Sequence, residues 1–143
     1  MDPNNPVVKL CAQGMEEESK GNIEGATRLF EQAWAQSAND FEHCISAHYV
    51  ARHQATAELA LQWNQEALDC ANRDSGGVPE FLASLYLNLG KSHEDLGDAE
   101  KAREFYEQAA GRIAAVSAGA YRDIVQDGIN RGLQRVRDSL DLL

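Results

Sequence analysis

The 143-residue chain has little of what usually interrupts or staples a fold. Its three prolines stand at positions 3, 6 and 79, and none breaks a helical pattern. The three cysteines, Cys11, Cys44 and Cys70, are odd in number and lack CxxC spacing. That excludes a disulfide framework and fits reduced thiols in a cytoplasmic protein. No segment alternates with period two for long enough to read as a strand. There is no secretory apolar core near Met1 and no apolar run long enough to span a bilayer, so neither export nor a membrane role is expected. Basic residues are scarce: 13 lysines and arginines face 23 acids, a net charge of −10. Only the segment from residue 111 onward is net positive, by one charge. A nucleic-acid partner, which needs a basic patch to displace counterions, is therefore not expected. Nor is there a nucleophile elbow, a glycine-rich phosphate loop or an HExxH motif. No enzyme activity, cofactor or metal is expected.

What the chain does have is alanine, leucine, glutamate and glutamine at helical spacing. The class is all-α, with about seven helices. The clearest stretch is Leu85 to Ala110. Leu85, Tyr86, Leu89 and Leu96 line one helix face. Gly97 is suited to the left-handed turn that ends a helix, and Asp98 to the N-cap that starts the next. Ala99, Ala102, Phe105, Tyr106 and Ala109 then fall on one side, and Gly90 and Ala102 are small where two helices approach.

The other helices are expected over 7 to about 20, Ile23–Ser37, Phe41 to about His53 and Ala57–Asn72. Pro79 opens the fifth, Asp98 starts the sixth, which fades near Ser117, and a seventh follows Gly119. The second should bury Ile23, Ala26, Leu29, Phe30, Ala33 and Trp34. The fourth should use Leu59, Ala60, Trp63, Ala67, Leu68 and Cys70, and the seventh Ile124, Val125, Ile129, Leu133, Val136 and Leu140.

The pattern repeats. Ala26 and Ala60 are 34 residues apart, and Ala60 and Ala102 are 42 apart. Ala33, Ala67 and Ala109 keep the same steps, as do Gly21, Ala55 and Gly97. The eight extra residues match the region from Arg73 to Leu82. A helix–turn–helix unit with a period of 34 resembles the tetratricopeptide repeat. Tyr86, Leu89, Gly90, His93, Ala102, Tyr106 and Ala109 carry the resemblance in the third unit. Leu10, Gln13, Gly14, Glu17, Ala26, Phe30 and Ala33 carry it in the first. The second, with Cys44, Ala47, His48, Ala51, Ala60, Asn64 and Ala67, is degenerate. The closing proline is missing throughout; Ala38, Asn72 and Ala114 stand in its place.

The resemblance implies one domain over residues 1–143: repeats at about 7–40, 41–74 and 83–116, an added loop and helix start at 75–82, and a capping helix at about 120–142. Its fold would be a right-handed superhelix of three hairpins and the cap. It also implies a non-catalytic, scaffold-like module that binds a protein or peptide in a concave groove lined by the first helix of each pair. The groove positions are Val8, Cys11, Ala12 and Met15, then Glu42, Ile45, Ser46, Tyr49, Arg52 and His53, then Ser84, Leu87, Asn88, Lys91, Glu94 and Asp95. Tyr49, Arg52, His53, Asn88, Lys91 and Met15 are the expected partner contacts. One subgroup clamps the C-terminal carboxylate of heat-shock chaperones with basic residues. At those positions this chain has Cys11, Met15, Ser46, Ser84 and Asn88, so that role is not expected.

The remaining candidates read as structure. His43, His48 and His53 recur every five residues, about 140° apart on a helix, and share no face. Cys44 and His48 do share one, but at core positions with no third ligand. Glu16, Glu17 and Glu18 read as a solvated face. Gly128 and Gly132 point to close helix packing or a self-association seam. Ile129, Leu133, Val136 and Leu140, with Leu142 and Leu143, form an apolar stripe on the last helix. The alternative to groove binding is therefore an assembly role, a homodimer formed through that stripe.

Overall fold

The computed structural model describes residues 2–74 and 79–141. Residues 75–77 of the expected loop, and Leu142 and Leu143 of the expected stripe, lie outside the described residues. The described residues contain seven α-helices and no strand: α1 (Pro6–Ser19), α2 (Ile23–Gln36), α3 (Asp40–Val50), α4 (Ala57–Arg73), α5 (Pro79–Asp95), α6 (Ala99–Ala110) and α7 (Ala120–Asp141). They divide into two compact units, Met1–Gly77 and Val78–Leu143.

In the first unit α1 pairs with α2, α3 pairs with α4, and α3 also packs on α1 and α2. Asn5 caps α1, its Oδ1 accepting from the amides of Val7 and Val8 at 2.8 and 3.2 Å. Gly21 ends the helix at φ 82°. Its N–H donates to the Glu18 carbonyl, and that of Asn22 to the Glu17 carbonyl, both at 2.9 Å. This is the paired bonding of a left-handed helix end. Asn22 then caps α2 through the Gly25 amide at 3.0 Å. Between α1 and α2, the Phe30 ring fills the space over Gly14, where an added Cβ would lie 2.3 Å from Cε1. Ala26, Phe30 and Val50 form a buried cluster, flanked by Trp34, Tyr49 and Trp63.

The second unit repeats the device. Gly97 has φ 83°, with Gly97 N–H on the Glu94 carbonyl at 3.0 Å and Asp98 N–H on the His93 carbonyl at 2.9 Å. Asp98 caps α6 through the Lys101 amide at 3.1 Å. Tyr106 packs over Gly90. The third helix of this unit is α7, which packs on α5 and α6. Ala83, Ala109, Val116, Val125 and Ile129 form one buried cluster, and Ala102, Tyr106 and Val136 another.

Several expectations are corrected at helix ends. The third helix does not run to His53; α3 stops at Val50 and the chain tightens into a 3-10 turn over Ala51–His53. The sixth ends at Ala110 rather than near Ser117, and a second 3-10 turn follows over Ile113–Ala115. Ile23, Leu59 and Ile124 have the spacing of core residues but are 44%, 39% and 70% exposed. Each sits in the first two turns of its helix. Helical spacing fixes which side of a helix is apolar, not how far along it the packing partner extends.

Candidate functional site

The expected contacts of the first unit gather at the end of α1. Glu18 is in the last turn of that helix. Arg52 Nε donates to its Oε2 at 3.0 Å, and His53 Nε2 bonds to the same oxygen. The His53 ring is nearly parallel to Phe30, 6.4 Å between centroids. Tyr49 stacks on the same Phe30 ring at 5.2 Å, and the Arg52 guanidinium lies 5.9 Å from the Tyr49 ring. Tyr49, Arg52 and His53 are thus brought together by one carboxylate and one phenyl ring. Met15, on the same helix as Glu18, is 44% exposed.

Glu18 was expected on a solvated face, yet its side chain is only 13% exposed. Glu42, a groove position by resemblance, is also used internally. It accepts from Asn5 Nδ2 and from the Ala38 amide, both at 2.9 Å, which ties the starts of α1 and α3 together.

The three histidines of α3 and its 3-10 turn go separate ways. His43 packs edge-on to Trp34 at 4.7 Å, which in turn meets Trp63 edge-on at 4.9 Å. His48 meets Tyr49 edge-on at 5.0 Å, and His53 binds Glu18. Burial pushes the His48 imidazole down to about 4, and the Arg52 guanidinium adds to the effect. The free thiols Cys11, Cys44 and Cys70 are all buried. Burial raises the Cys11 and Cys44 thiols to about 12, which makes them unreactive. Among the described residues no three His, Cys, Asp or Glu side chains are placed to hold a metal ion.

In the second unit Asn88 and Lys91 lie one turn apart on α5. Asn88 is half-buried and Lys91 exposed, the latter paired with Asp95. Ser84, one turn earlier, bonds the Tyr121 hydroxyl. At the end of α5, Glu94 is held as Glu18 is. The Tyr106 hydroxyl donates to its Oε1 at 2.6 Å. Arg135 of α7 grips both oxygens, Nε to Oε2 at 2.7 Å and Nη2 to Oε1 at 3.0 Å. Burial alone would push the Glu94 carboxyl up. The hydrogen bonds from Arg135 and Tyr106 outweigh it and hold the group below the ordinary carboxylate range. Tyr106 is pushed up, first by burial and then by Glu94.

The stripe expected for self-association is divided. Ile129 and Val136 are 0% exposed; they belong to the core clusters with α5 and α6 and offer nothing to a second copy in this conformation. Leu133 and Leu140 are half-buried. Gly128 and Gly132 are packing positions inside the unit: Gly128 lies against Leu87, and a Cβ on Gly132 would meet the Tyr106 ring at 2.5 Å.

Sequence reasoning missed Glu18 and Glu94 as anchors. The only signal for the first was its spacing of 34 from Arg52, the repeat period itself.

The architecture is that of an all-α helical-repeat protein, in which α1–α2 and α5–α6 are each closed by a left-handed glycine and packed aromatic-on-glycine. Residues 83–114, which take in most of α5 and all of α6, match the family model of the tetratricopeptide repeat. No match to a curated protein was found. Tetratricopeptide repeats mediate protein–protein interaction. Among the described residues no helix is long and apolar enough to cross a membrane.

Proposed function

We propose that the chain is a non-catalytic, cytoplasmic interaction module that holds a protein or peptide partner against the first-helix faces of its hairpins. The observation that carries this is the tetratricopeptide repeat at 83–114. Its first helix presents Asn88 and Lys91 beside Ser84. In the first unit the corresponding face offers Met15, Tyr49 and Arg52. Arg52 and His53 serve first to hold Glu18, so their part in recognition is secondary to their part in the fold. Lys91 and Met15, both exposed, are the contacts whose loss changes binding without changing the hairpin. No nucleic acid or membrane partner enters this proposal.

The test is affinity capture from the native cell extract with wild type and with the double variant Met15→Glu/Lys91→Glu, each checked by circular dichroism. A specific partner retained by wild type and lost at least tenfold by the folded variant supports the proposal. An unchanged set of captured proteins overturns the assignment of these contacts. Self-association is the second reading, favoured by Ile124, which is 70% exposed on α7. A monomer mass by light scattering at high protein concentration ends it.

A further inference from the structure

We draw no further inference here: the strongest candidate, the exposed apolar pair Tyr121 and Ile124 on the opening turns of α7 in the second unit, carries nothing because no feature of the structure shows what covers it.

Discussion

The two units solve one packing problem with different third partners. Gly14, Gly21, Asn22 and Phe30 of the first stand 76 residues before Gly90, Gly97, Asp98 and Tyr106 of the second. In both, a buried aromatic from the second helix rests on a glycine of the first, and a glutamate in the last turn of the first helix is met by an arginine from beyond the hairpin, Arg52 in the 3-10 turn after α3 and Arg135 on α7. The donors differ. Glu94 takes a phenol and a two-pronged arginine. Phe30 has no hydroxyl, so Glu18 takes an imidazole stacked on that phenyl and a single guanidinium nitrogen. The hairpin scaffold is therefore fixed, while the group that docks the third helix is interchangeable.

The largest effects come from the shared aromatic. Phe30→Ala and Tyr106→Ala should each cost roughly 4 kcal/mol, as for other buried aromatics. Hydrogen exchange should place the loss in α1 and α2 for the first and in α5 and α6 for the second. Loss of protection spread evenly over both units would break the comparison.

Acid should separate the units next. His48 of the first unit sits at about 4 when folded, against about 6.5 for an ordinary histidine. Between these values the unfolded chain binds the extra proton, so stability present above pH 6.5 is lost as pH falls toward 4. The loss is on the order of 3 kcal/mol, and His48→Gln should flatten it. Glu94, held low, contributes stability that is present above the ordinary carboxylate pKa and lost only as pH falls through its lowered folded value. Exchange protection in the first unit should therefore fall before that in the second. The reverse order would contradict the assignment.

Removing one hydroxyl sharpens the comparison further. Tyr106→Phe deletes a bond to a charged group, worth about 1.5–3 kcal/mol, and should lower the thermal midpoint. Phe30→Tyr should gain nothing in return, because His53 already occupies Glu18. A stabilised Phe30→Tyr protein would mean that the imidazole is dispensable. The smallest effects are at the turns. Gly21→Ala and Gly97→Ala should each cost about 1 kcal/mol, the penalty of a left-handed side chain, and the two should be equal in denaturant titrations.

The hairpins were legible because their determinants are local. A left-handed turn demands glycine, a cap demands a short polar side chain, and both mark the sequence where they act. Gly97 with Asp98 and Gly21 with Asn22 were readable for that reason. The end of α3 was not, since Val50 and Ala51 carry no breaker and the chain merely tightens there. The anchors were not legible either. Glu18 looks like its neighbours Glu16 and Glu17, and only Arg52, 34 residues away, sets it apart. Tyr106 was readable as an apolar contact but not as a donor to Glu94. The stripe on α7 was seen correctly as apolar. What the sequence could not say is that its own unit covers Ile129 and Val136.

The placing of Glu18 and Glu94 has a further consequence. Both lie in the last turn of a helix, at the negative end of the macrodipole, where an acid is unfavourable by about 0.3–1 kcal/mol. An isolated α1–α2 hairpin would carry that penalty unrelieved, and in α5–α6 only the Tyr106 hydroxyl would offset it. Arg52 and Arg135 reach these carboxylates only once the third helix has docked. Each hairpin is thus electrostatically frustrated until its neighbour arrives, and the frustration makes the helix pair cooperate with the helix that follows it.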